Sequence, residues 1–170
     1  MPLPIIRLAA ALTVTCLFAS ASSATIIDLD GTTGDPISIF LDMGAYHVTP
    51  VGMADGGAYN AYDASNDHPG NWVHAYTIFS EELESSLFWD GTVHPSDLEA
   101  LAHAVPAQFT ITFNQEVAFF ISDTSYGDND GGVSLRLQSV PEPSTLLLLG
   151  LGLVGLRICA AQGHYPAGGK

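Results

Sequence analysis

The residues best suited to chemistry lie together late in the chain: Asp123-Thr124-Ser125-Tyr126-Gly127-Asp128-Asn129-Asp130-Gly131-Gly132. Asp123, Asp128 and Asp130 crowd three carboxylates, with the Asn129 amide, into one Gly-rich stretch. Hard oxygen donors on a flexible loop suit Ca²⁺, and a cation would relieve the repulsion among the acids. The spacing is not that of an EF-hand, because the glycines fall at other positions and no Glu closes the loop. The same residue types also make ordinary turns, since Asp and Asn bond nearby backbone and Gly accepts positive φ.

A second set is Tyr59, Asn60, Tyr62 and Asp63, inside a stretch from Ala54 to Asn71 that also holds Asp55, Asn66, Asp67 and His68. Tyrosines interleaved with short polar side chains suit a sugar ring, because each offers an apolar face and a polar tip. A loop of this length without structure of its own is often functional. The run Tyr126-Gly127-Asp128-Asn129, followed by Gly and a strand, is similar to the calcium loop of small galactose-binding bacterial lectins of β-sandwich fold. That resemblance implies calcium bridging protein and sugar hydroxyls, hence a calcium-dependent carbohydrate-binding module with an extracellular glycan as partner.

Other chemistries have no signature. His47, His68, His74, His94 and His103 show neither H-x-H nor H-x₃-H spacing, so scattered strand and loop histidines are expected rather than a zinc site. There is no G-x-S-x-G, and the chain's two cysteines, Cys16 and Cys159, both lie outside the stretch from Thr25 to Ser139. Glu81-Glu82 or Asp128/Asp130 as glycosidase acids would make a small polysaccharide hydrolase, a third and weaker alternative. The expectation is therefore a non-enzymatic protein with no catalytic residues.

The 170 residues suit one domain. Of 18 acidic residues only Glu142 falls outside Thr25–Ser139, whereas Arg136 is the one Lys or Arg within it. Such an acidic domain repels phosphate, which excludes nucleic acid as a partner. Without disulfides, its apolar core must hold it unaided.

The elements that would position these loops read mostly with period two. Thr25–Leu29, Ile37–Leu41, Ala45–Val51, Trp72–Phe79, Leu87–Trp89, Phe109–Phe113, Val117–Ile121 and Val133–Leu137 are apolar or alternating runs bounded by Gly, Pro, Asn and Asp. Pro50 marks an edge or a bulge. Phe109–Phe113 and Val117–Ile121, joined through Asn114-Gln115, read as a hairpin. Ser96-Asp97-Leu98-Glu99 is a capping box opening one short helix, which Pro106 stops. Short strands with turns between them predict an all-β fold, an antiparallel β-sandwich or jelly roll with one short helix.

The two ends address the chain. Residues 1–24 read as a signal peptide: Arg7, the apolar run Leu8–Phe18, then Ala19-Ser20-Ala21 or Ser22-Ser23-Ala24 for cleavage. After the domain at 25–139 comes Val140-Pro141-Glu142-Pro143-Ser144-Thr145, a stretch held extended by its prolines. Leu146 to Leu156 follow, eight Leu or Val and three Gly, and Arg157 closes segment 140–157 before a polar tail at 158–170. Box, helix, cation and terminal position together resemble a PEP-CTERM sorting signal of Gram-negative bacteria. The resemblance implies an exosortase as partner and a membrane helix that anchors the protein before processing. It also implies release to the cell surface or an exopolysaccharide-containing extracellular matrix. The departure is the lone Arg157 where that family carries several basic residues, which weakens the charge signal for orientation.

Overall fold

The computed structural model describes residues 24–65 and 70–140. Outside the described residues lie the expected signal helix and the sorting segment, with Pro141, Glu142, Pro143, Ser144, Thr145, the membrane helix and Arg157. Asn66, Asp67 and His68 lie outside them too. Among the described residues no helix is long and apolar enough to cross a membrane.

The strands are β1 (Ala24–Asp30), β2 (Ile37–Leu41), β3 (Gly44–Val51), β4 (Tyr62–Asp63), β5 (Trp72–Val73), β6 (Tyr76–Ser80), β7 (Glu84–Phe88), β8 (Ala107–Ile111), β9 (Gln115–Phe120) and β10 (Asp130–Val140). A 3₁₀ turn spans Met53–Asp55, and the single α-helix among the described residues, α1, spans Asp97–Ala102. Every pairing is antiparallel. One sheet runs β5-β4-β10-β3-β8, with β1 also on β10; the other runs β2-β9-β6-β7.

Alternation decides which side chains enter the core. In β8, Ala107, Phe109 and Ile111 point in while Gln108 and Thr110 point out; in β9, Val117 and Phe119 point in. Ile27, Leu29, Val48, Leu135 and Leu137 from the first sheet meet Ile78, Val117 and Phe119 from the second in one core. Tyr46 stacks on Phe109 with centroids 5.5 Å apart, and Tyr76 on Phe88 at 5.3 Å. The all-β expectation with two antiparallel sheets and little helix thus holds.

Three expectations are corrected. The run 109–121 is not a hairpin: β8 pairs with β3 in one sheet, whereas β9 lies between β2 and β6 in the other. The turn crosses between layers because its polar groups have partners elsewhere. The Glu82 carboxylate accepts from the Thr112 amide and the Gln115 side chain, both at 2.9 Å, and Asn114 accepts from the Met43 amide at 2.8 Å. Likewise Trp72–Phe79 is two strands in different sheets, β5 and β6, with His74 and Ala75 buried at the crossing. The third correction concerns the stretch from Ala54 to Asn71, which has structure of its own in the 3₁₀ turn and β4. Pro50 stands where β3 has lost one neighbour, since the β8 ladder ends at Val48, and this fits the edge expected of it.

Candidate functional site

The two candidate loops, far apart in sequence, meet where β10 begins. Asp130 and Gly131 pair with Asp63 and Tyr62 of β4. The junction leaves no room for side chains. Gly131 has φ +85°, and a Cβ on Gly132 would lie 2.2 Å from the Leu29 carbonyl oxygen and 2.8 Å from the Tyr59 ring.

Within the acidic loop, Asp123 Oδ1 accepts from the Thr124 amide at 2.6 Å and Oδ2 accepts from Asn129 Nδ2 at 3.0 Å. Asn129 Nδ2 also donates to the Gly31 carbonyl at 2.9 Å. The Tyr126 hydroxyl donates to the Ile121 carbonyl at 3.0 Å. Two oxygens stay orphaned: Asp128 Oδ1 and Asn129 Oδ1 are buried without a hydrogen-bond partner. A buried acceptor without a donor costs about 1–3 kcal/mol. The three carboxylates of Asp123, Asp128 and Asp130 do not converge as a trio with oxygens within 4.8 Å of one another. Asp130 instead starts β10 opposite Asp63.

The second set divides. Asn60 is buried and fully engaged: its Oδ1 accepts from the Met53 amide at 2.9 Å and its Nδ2 donates to Asp97 Oδ2 at 2.7 Å, tying the 3₁₀ turn to α1. Asp63 accepts from the Ser65 and Gly70 amides, at 3.2 and 3.3 Å. Tyr59 covers Gly132, and its amide donates to Ser134 Oγ at 2.9 Å; burial, then Asp30 and Asp28, raise its phenol above the ordinary value. Tyr62 reaches a cavity. It lines a cleft of about 270 Å³ with Val73, Leu87, Trp89, Val93 and Asp123. Burial, then the charge of Asp123 and the Tyr126 phenol, hold the Tyr62 hydroxyl well above its ordinary value, so it stays a donor. Trp89, 43% exposed, is oriented by its Nε1 donating to the Thr92 carbonyl at 3.1 Å. The exposed indole in this open cleft offers a face on which a ring can stack.

The structure also gathers residues that the sequence left scattered. His94, Glu99 and His103 present ligand atoms all within 4.8 Å of one another. The two imidazoles stack with centroids 4.8 Å apart and planes 11° off parallel. His94 Nε2 lies 2.8 Å from Asp90 Oδ2 and 3.1 Å from Thr92 Oγ1. Burial works to raise the Asp90 carboxyl, but hydrogen bonds from Thr92 and His94 outweigh it and hold it below the ordinary range. The signal available in the sequence was Glu99-x₃-His103, the spacing of neighbours on one helix face. His–His spacing alone misses it.

Residues 139–160 match the family model described as the PEP-CTERM protein-sorting motif. The motif read from Val140 to Arg157 is therefore a PEP-CTERM signal, and it marks the chain as an exported protein targeted for exosortase processing. No curated protein and no solved structure matches the chain.

Proposed function

We propose that this chain is a non-enzymatic protein of a Gram-negative cell surface or extracellular matrix, delivered there by its C-terminal signal. The motif match at residues 139–160 carries the reading. The signal supplies the route: the Pro141-Glu142-Pro143 box is the place of cutting, and the apolar run that follows it in sequence keeps the chain at the membrane until then. The acidic β domain is the cargo, and its net charge keeps it soluble once released. Fractionation of the producing cell tests the route. The full chain is expected in the membrane first and outside later, and a chain lacking 140–170 should lose the membrane-held precursor. Identical fractionation of the two would refute the sorting role.

A second reading gives the cargo a task, and the orphaned Asp128 Oδ1 and Asn129 Oδ1 favour it. In this reading the domain is a calcium-dependent carbohydrate-binding module, with Ca²⁺ on the 123–130 loop and a glycan in the neighbouring cleft against Trp89 and Tyr62. Calorimetry with Ca²⁺ on the full chain in detergent tests the ion. Heat of binding that Asp128→Ala removes is expected; heat unchanged by that substitution, or none at all, overturns the reading. A glycan array with Trp89→Ala as control then tests the cleft.

A further inference from the structure

We propose that His94, Glu99 and His103 form a site for one divalent transition-metal ion of the zinc class, separate from the acidic loop. The donor set is right in kind. Two imidazoles and one carboxylate are ligands that Zn²⁺ accepts, whereas Ca²⁺ and Mg²⁺ take oxygen almost alone. Three protein ligands leave a coordination position for water, and the exposure of Glu99 and His103 turns that position toward solvent.

The site is fixed on one side and adjustable on the other. His94 is buried, and its backbone exchanges two hydrogen bonds with Trp72, at 3.0 and 2.9 Å. Its ring is held at Nε2 by Asp90, whose other oxygen accepts from the Thr92 amide at 3.1 Å. A carboxylate on one ring nitrogen leaves the lone pair on the other, here Nδ1, and it raises the basicity of a metal-binding imidazole. Glu99 and His103 come from α1 and its C-cap, four residues apart and so on one face. Helix capping fixes that face: Ser96 Oγ accepts from the Glu99 amide at 3.2 Å. Asn60 also grips Asp97 at the start of the helix.

The distances fit after a small closure. Ligand atoms at the usual zinc distance of about 2.0–2.1 Å stand roughly 3.3 Å from each other in a tetrahedron. From separations within 4.8 Å, the ligand atoms must draw together by roughly 1.5 Å. The stack must also open, because an ion lies in the plane of each imidazole that binds it; turning the exposed His103 and Glu99 side chains supplies both movements with the buried His94 in place.

The full chain, purified in mild detergent and stripped with chelator, is titrated with Zn²⁺ by calorimetry and with Co²⁺ by visible absorption. One equivalent of Zn²⁺ is expected to bind, with d–d bands of a low-coordinate Co²⁺ and no comparable heat at this site from Mg²⁺. His103→Ala and Glu99→Gln, both at exposed positions, should remove the bands while leaving the far-ultraviolet circular dichroism unchanged. Asp90→Asn should weaken binding by about 10–100-fold, as for other partners of ligating histidines. Absence of binding overturns the proposal. So does binding unaltered in His103→Ala and Glu99→Gln, which would assign the ion to other donors such as Cys159 or His164. The Ca²⁺ test on Asp128→Ala reads a different loop and a different ion, so either result stands without the other.

Discussion

His74 should make the fold acid-sensitive by an amount that the structure sets. It sits at the crossing between β5 and β6, buried, with its ring edge-on to Tyr76 at a centroid distance of 6.1 Å. Neither ring nitrogen has a hydrogen-bond partner. Burial lowers its pKa from 6.5 to about 4, and the residue's own backbone, then the charge of Asp90, offset only part of this. The unfolded chain therefore takes up a proton near pH 6.5, while the folded chain resists until about pH 4. Between those values the unfolded state binds more protons, so stability falls as pH falls. The contribution is fully present above pH 6.5 and lost by about pH 4. At about 1.4 kcal/mol per pH unit, the loss is on the order of 3 kcal/mol, a large part of the stability of a small domain. The assay is urea unfolding followed by the fluorescence of Trp72 and Trp89, on the full chain in detergent with chelator present, at pH 7 and pH 4. His74→Leu removes the titration and the two unpartnered nitrogens. Subtracting its profile from the parent's also cancels the acid response of carboxylates such as Glu82, which hydrogen bonds from the Thr112 amide and Gln115 hold below the ordinary range. The parent should lose about 3 kcal/mol relative to His74→Leu over this interval. Parallel profiles, with a difference under about 1 kcal/mol, would refute the assignment of a buried neutral imidazole.

The core carries most of the remaining sensitivity. Phe119→Ala, at a fully buried position between the sheets, should cost about 3–5 kcal/mol in urea unfolding. Gly132→Ala should cost at least the roughly 1–3 kcal/mol of an overpacked site, because its Cβ would strike the Leu29 carbonyl; an unchanged midpoint would mean that β1 and β10 are not this close. Asn60→Leu strands the Met53 amide and Asp97, and should lower stability by about 1–3 kcal/mol in the same assay. Ser96→Ala removes the cap of α1, with an expected loss of about 1 kcal/mol and weaker Zn²⁺ binding through a less ordered Glu99–His103 face.

What was legible in the sequence was local. Alternation at Phe109–Ile111, Val117–Phe119 and Val133–Leu137 gave buried faces because the period of a strand fixes which side chains share a side. It could not give sheet membership. In a sandwich both inner faces are equally apolar, so the pattern of β8 followed by β9 is the same for a hairpin and for a crossing between layers. The decision rests with Glu82 and Met43, which take up the turn's Thr112 amide and Asn114 side chain from other parts of the chain. The same blindness joined Trp72–Phe79 into one strand and so hid the position of His74.

The candidate sites repeat the distinction. The PEP-CTERM box is read as contiguous residues, so its information survives without a fold and the motif match recovers it. Asp123, Asp128 and Asn129 are close in sequence, but the fold decides that Asp123 bonds Asn129 while Asp128 and Asn129 keep bare oxygens. The histidine cluster is the sharper case. Asp90 to His103 is a short span, and Glu99-x₃-His103 was visible as a helical pair. What completes the cluster is His94, which is brought there by the bridge to Trp72 and by the orientation of α1, and both are long-range. Half of that site is therefore a property of helix geometry and half of topology. If the ion binds, the bridge and the helix also become coupled: zinc on His94, Glu99 and His103 should protect the amides of Trp72 and His94 from hydrogen exchange, whereas an ion bound elsewhere leaves them unchanged.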